Sequence, residues 1–386
     1  MPRSKLSLSL VASGYAILVV AAYLDNVRGP ILPVLSRELS LSFEHNGWFL
    51  TVGQMAGIAV NLALVAAAGR LSDRSLAVAA SLAAAGVSGL SLLVGDFPSL
   101  LPMALLVGGT VAAMGTVCNF LVVEGTPPAL RGRALAGLHT MYGVGSFGAG
   151  LVVSGAVDSG IGWRWLFLGL APLHLLMALF FSWRLPAQTA ADPDGSTGLG
   201  KLDRRHILVL VVFVLYVGGE VTTSMWLSNF LVGAREIEPA AAAQRVSGFF
   251  AALTVSRILC WFFVKPSHER GLLIASLLVP LVCFVLGYAV DDWAFALVGL
   301  VGPFFPVYLA RVSREFGRSW KTLTMWIFLG DQIGLATINL ALGRAADLWD
   351  IERAFLAPPL MLAAALALVC LHLALAARPG WAEATK

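Results

Sequence analysis

Four ionisable side chains stand in stretches of chain otherwise built of apolar residues: Asp25, Glu220, Arg257 and Asp331. A charge carried into hydrocarbon is costly unless it is paired or wetted, so such groups mark water-filled paths, proton relays or solute sites. A carboxylate there can take a proton on one side of a membrane and release it on the other. Asp25 and Glu220 each lie about 20 Å along their helices from the cytoplasmic ends, at ~1.5 Å per residue, which makes them the candidates for proton coupling. Each has a blander reading. Asp25 can form a local pair with Arg28, three residues on and on the same helical face, and Glu220 can simply brace neighbouring helices. Arg257 and Asp331 sit about 10 to 15 Å in, where pairing across the bundle would offset the cost of an isolated cation. Such a pair could bind solute, gate the cytoplasmic side, or act as a static bridge.

His139 and Tyr142 share a face by their spacing, near the depth of Arg257. An imidazole there could bind solute or shuttle protons, or be a core group satisfied by a carbonyl. Gln54, Asn119, Trp226, Asn229 and Gln332 add amides and an aromatic face. A sugar needs both, since its hydroxyls require hydrogen bonds and its ring stacks on aromatics; taken singly, the same residues can be helix-to-helix glue. The expected substrate-binding set is Gln54, Asn119, His139, Tyr142, Trp226, Asn229, Arg257 and Asp331. Asp73, Arg74, Glu124 and Arg131 fall on connectors and are expected to serve gating or loop roles, Glu124 chiefly through a salt bridge toward Arg131.

These groups need elements to hold them, and composition says which. Hydrophobic residues make up 58% of the 386 and charged residues 12%, which would leave a soluble globule with no polar skin. The chain instead reads as about twelve apolar runs of roughly twenty residues, the length that crosses a bilayer as helix. Six precede residue 184 and six follow residue 205. The expected architecture is therefore an all-α membrane protein with an N-terminal six-helix bundle (1–184), a Pro/Gly/Ser-rich cytoplasmic linker (185–204) and a C-terminal six-helix bundle (205–386), a duplicated unit arranged as two parallel repeats. Asp25 and Glu220 occupy corresponding places in the first and seventh spans. Eighteen of the 26 Lys and Arg gather on one side if both termini are cytoplasmic, against six opposite, which sets that orientation. The net charge of +4 is thus topology and not a sign of nucleic acid. The first span runs too long for a cleaved signal. The four cysteines, Cys118, Cys260, Cys283 and Cys370, are scattered within spans and read as small apolar side chains.

Connector motifs add a resemblance. Gly69-Arg70-Leu71-Ser72-Asp73-Arg74 after span two, without the usual basic tail, resembles the cytoplasmic loop of the major facilitator superfamily. Glu124 to Arg133 after span four and Gly162-Trp163-Arg164-Trp165 before span six are similar to two further connectors of that superfamily. Asn119 to Glu124, Leu138 to Gly145, Tyr216 to Glu220, Trp226-Leu227, Phe249 to Arg257 and Gly302 to Pro306 resemble the fucose-galactose-glucose:proton symporter family and relatives. Two departures stand out: Ser256 where that family has Gly before Arg, and Asp331 within an expected run of small residues. The resemblance implies that spans one and seven line a central cavity, that spans six and twelve with His174 and His372 are peripheral, and that Pro30, Pro33, Pro303 and Pro306 bend or break helices beside the cavity.

The expected function is secondary active transport of a small polar solute, such as a sugar, by alternating access and proton symport. The expected setting is a bacterial inner (plasma) membrane, with lipid bilayer, protons and a small-molecule substrate as partners, and a monomeric chain. The first rival is efflux of amphipathic drugs or lipid-like molecules past the aromatic walls at Trp226, Phe249, Phe250, Phe304 and Phe305. The second is a non-transporting sensor on the same scaffold. The sequence holds no phosphate-binding loop of the Gly-x-x-x-x-Gly-Lys-Ser/Thr type and no paired catalytic constellation, so neither an enzyme nor a cofactor is expected.

Overall fold

A computed structural model describes residues 6–67, 70–185, 202–263 and 266–377. The expected linker lies almost wholly outside these residues. The helices are α1 (Leu8–Asn26), α2 (Arg28–Leu39), α3 (Phe43–Ala66), α4 (Asp73–Ser91), α5 (Phe97–Gly125), α6 (Arg131–Asp158), α7 (Arg164–Leu168) and α8 (Ala171–Arg184) in the first half. The second half has α9 (Arg204–Arg235), α10 (Pro239–Phe263), α11 (Glu269–Ala289), α12 (Trp293–Leu297), α13 (Phe304–Phe316), α14 (Trp320–Leu348), α15 (Ile351–Ala354) and α16 (Ala357–Ala376). Eleven helical segments among the described residues are long and apolar enough to cross a membrane. The 25-residue α10 completes the expected twelve.

Two of the four prolines sit at breaks in the spans, whereas Pro33 lies within α2 and Pro306 within α13. Pro30 cannot donate to the carbonyl of Asn26, and the first span divides at Val27 into α1 and α2. The tenth span is broken more strongly, running as α12, a 3₁₀ turn over Val298–Val301 and then α13, with Pro303 as its N-cap. Both breaks lie beside charged residues, because a carbonyl released by proline is a ready acceptor for a neighbouring donor.

Contacts within the first half tie α1 to α5 and α6, and α4 to α5 and α8; those within the second tie α9 to α14 and α16, and α10 to the broken tenth span. The halves meet through α3 on α14, α6 on α10, and α2 on α9. In span numbers these pairs are 2 with 11, 5 with 8, and 1 with 7. Adding six to the first-half spans and subtracting it from the others maps this set onto itself, as a duplicated bundle requires. The small details repeat too: Ser40 (φ 52°) and Glu236 (φ 55°) are left-handed C-caps at matching ends of the first and seventh spans.

Two close helix crossings are also equivalent. Gly108 of span four lies against the carbonyl of Gly53 in span two, and Gly299 of span ten lies against the carbonyl of Phe249 in span eight. A Cβ at either glycine would overlap that backbone oxygen, so these residues set how near the helices approach. Gly108→Ala is expected to destabilise the fold by about 1 to 3 kcal/mol, the usual cost of forcing a methyl group into a packed contact. Thermal unfolding in detergent would register it as an earlier transition than wild type.

Candidate functional site

The first-half cluster forms at the α1/α2 break. Arg28 donates through Nε to the backbone carbonyl of Asp25 (2.9 Å) and through a terminal nitrogen to its carboxylate. The other carboxylate oxygen, Oδ2, accepts the Tyr142 hydroxyl of α6 at 2.9 Å. Asn26 donates to the Tyr142 oxygen (3.0 Å) and to Ser146 Oγ (2.9 Å), which locks the α1 to α6 register. The local pair considered for Asp25 is therefore formed, and the aspartate is also held across to span five. The Arg28 side chain is 3% exposed and that of Asp25 21%, so the cation is interior and the carboxylate keeps partial access to solvent.

The second-half cluster forms at the tenth-span break. Tyr216 donates its hydroxyl to Glu220 Oε2, one helical turn on. Arg257 of α10 donates to Glu220 Oε1 at 3.3 Å and, through Nε, to the carbonyl of Gly302 at 3.0 Å. That carbonyl is free because its helical donor four residues on would be Pro306, which has no N–H. Glu220 and Arg257 side chains are 15% and 27% exposed. The two clusters adjoin, for Tyr142 and His139 both lie within the field of Arg257. His139 itself is exposed, on the Tyr142 face of α6, and is not a core imidazole.

Several expectations are corrected by this geometry. Arg257 is not paired with Asp331; it serves Glu220, and Asp331 is 6% exposed with Oδ1 lacking any hydrogen-bond partner. Trp226 is fully buried and donates to Asn339 Oδ1 at 2.9 Å, so its ring is not free for a solute, and Asn229 is buried beside it in sequence. Asn119 donates to Gly115 of its own helix (2.7 Å), while Gln54 is half-buried. Arg131 donates to the Thr126 carbonyl (3.3 Å) and Glu124 lies beside Asp73, in place of the expected bridge between Glu124 and Arg131. Asp73 is buried in the first turn of α4, behind the Ser72 N-cap, with Arg74 half-buried; Gly69 of that motif lies outside the described residues. His372 accepts or donates to Tyr308 (2.8 Å) and Glu315 (3.2 Å), and His174 is fully buried. Asn26, Tyr216 and Asn339 are the site residues that the sequence reading did not single out. Tyr216 could have been found from its position four residues before Glu220.

Close contacts between the halves gather at the end away from the termini. Thr51 donates to the Ala336 carbonyl (2.8 Å), Gln244 to Ser154 (3.0 Å) and Ser247 to the Phe147 carbonyl (2.9 Å). Asp347 of α14 accepts the backbone N–H groups of Phe43 (2.9 Å) and Glu44 (2.7 Å), capping α3 from the opposite half. A carboxylate at a helix N-terminus satisfies orphan donors and the positive end of the helix dipole. Asp347→Ala should cost about 0.5 to 2 kcal/mol of this seal, a shift of roughly 2- to 30-fold toward opening at that end. Spin-label distances between the start of α3 and the end of α14 would lengthen if it does.

An apolar groove of about 640 Å³ lies apart from the charges, between α3, α4 and α5, lined by Met55, Ala59, Leu76, Ala83 and Leu105 among others.

Two helical bundles meet around paired charges and are joined by contacts at one end, as in a membrane carrier. Residues 14–336 match the Major Facilitator Superfamily, and the chain belongs to it. It is an integral membrane transporter whose setting is the lipid bilayer and whose cargo is a small molecule. Solved structures share its fold. The nucleoside transporter NupG is 14% identical with a TM-score of 0.73, over 96% of this chain and all of that one. A bacterial homologue of the human lysosomal transporter Spinster, inward-facing and unoccupied, is 15% identical with a TM-score of 0.64, over 98% of this chain and 96% of that one. FucP in its outward conformation is 16% identical with a TM-score of 0.57, over 94% and 98%.

Proposed function

We propose that this chain is a proton-coupled symporter of a small polar solute of the sugar class, with both termini cytoplasmic, working as a monomer. The reading rests on one observation: a charged cluster from each half, Asp25 with Arg28 and Tyr142, and Glu220 with Arg257 and Tyr216, partly buried and close enough that Tyr142 and Arg257 interact. Carboxylates and guanidiniums that are already paired and partly wetted can trade partners with a polyhydroxylated solute at little net cost, because each lost hydrogen bond is replaced. Asp25 and Glu220 are then the proton-coupling pair, with Tyr142, His139 and Arg257 as solute contacts. With the Lys- and Arg-rich side taken as cytoplasmic, the seal at Asp347 is external and the crevice opens inward.

The efflux reading draws on the apolar groove between α3, α4 and α5, which would suit an amphipathic molecule. The charged crevice favours the polar solute, since an apolar cargo would strand its hydrogen-bonding groups unpaired. Uptake of a panel of labelled sugars and other metabolites by proteoliposomes, alongside an amphipathic dye, tests the choice. Saturable uptake of a polar solute supports symport; transport of the dye alone overturns it.

A further inference from the structure

The crevice holds two guanidiniums and three carboxyls. Arg28 is committed to Asp25, and Arg257 to Glu220 and the Gly302 carbonyl. Asp331, on α14, is the carboxyl left over. It is 6% exposed, its Oδ1 is sealed from solvent without a hydrogen-bond partner, and it has no ion pair among the described residues. The charge that bears on it is another carboxylate, Glu220. The surrounding elements offer nothing of opposite sign to answer it. Helix α3, packed along α14, has no ionisable side chain after His45; Gly330 and Gly334, near Asp331 on α14, lie close against Leu210 and Val214 of α9; and Arg257, the cation that holds Glu220, is already paired.

We infer that Asp331 is a third proton site of the crevice, its carboxyl carrying one proton in this conformation. Two guanidiniums answer two of the three carboxyls, and with the His139 imidazole neutral, ionising all three would leave one net negative charge without a counter-ion in a low-dielectric interior. Of the three carboxyls only Asp331 lacks a cation, and its Oδ1 is sealed from solvent without a partner. Loss of its proton creates an anion that competes with Glu220 for Arg257, and the guanidinium must then shift toward α14. That shift strains its bond to Gly302 on the broken tenth span, which links the proton to the helices that rearrange. Protons enter and leave as such, so no further reactant is needed. The functional consequence rests on the symport reading above, but the proton itself can be observed without transport.

The test is infrared spectroscopy of the purified full chain in lipid nanodiscs at neutral pH, reading the C=O stretch of protonated carboxylic acids and its shift in heavy water. The expected result is a band in wild type that is absent in Asp331→Asn and retained in Asp25→Asn. Thermal unfolding checks that Asp331→Asn still folds; an amide replacing a neutral carboxyl should leave the transition unmoved. A band that survives Asp331→Asn unchanged, or that is missing from wild type, overturns the inference. A band lost in Asp331→Asn while uptake ignores a pH gradient keeps the proton site and rejects the symport reading instead.

Discussion

Asp25→Asn is expected to abolish accumulation of solute against its gradient while leaving exchange of solute across the membrane. The amide keeps the size of the carboxyl, its single oxygen can accept either Arg28 or the Tyr142 hydroxyl, Arg28 Nε keeps the backbone carbonyl of residue 25, and the Asn26 bonds to Tyr142 and Ser146 hold the α1 to α6 register. What it loses is the negative charge that can be exchanged for a proton. In proteoliposomes with an imposed pH gradient, internal solute should rise only to the external concentration, whereas counterflow between labelled and unlabelled solute continues. Unchanged accumulation would return Asp25 to a purely structural pair with Arg28.

The second large effect belongs to Glu220→Gln. Arg257 would keep only the Gly302 carbonyl, and an interior guanidinium would stand without its carboxylate. Breaking a buried pair by removing one partner costs about 3 to 5 kcal/mol; the partial exposure of Arg257 reduces this to roughly 2 to 3. Thermal unfolding should show the loss, and uptake should fall by roughly tenfold or more, equivalent to ~1.4 kcal/mol of site occupancy. The double variant Glu220→Gln with Arg257→Gln separates stability from transport. Removing both charges leaves no uncompensated ion, so the unfolding transition should recover while uptake does not. Recovery of uptake in the double variant would make the pair a brace and nothing more.

What could be read beforehand follows from how local each interaction is. The Asp25 and Arg28 pair was legible because three residues of helix put both on one face, and the breaks at Pro30 and Pro303 followed from a missing N–H. The partner of Arg257 was not legible. It is chosen by the Gly302 carbonyl that Pro306 leaves free, a contact between elements distant in sequence. Trp226 was misplaced for a different reason. Thr222 through Leu231 are all buried, so α9 there has no exposed face to betray which side meets the crevice. In a membrane helix the lipid side and the protein side are equally apolar, and the pattern that orients a soluble helix is absent. The seal by Asp347 was equally hidden, since a carboxylate capping a helix from the opposite half leaves no local signature.

The central claim, that solute movement is tied to protons through carboxyls in the crevice, has a direct measurement: initial uptake of a polar solute by proteoliposomes with an inwardly directed pH gradient, before and after adding a protonophore. The account predicts accumulation above the external concentration that collapses when the protonophore dissipates the gradient. Accumulation that ignores both the gradient and its removal would contradict it.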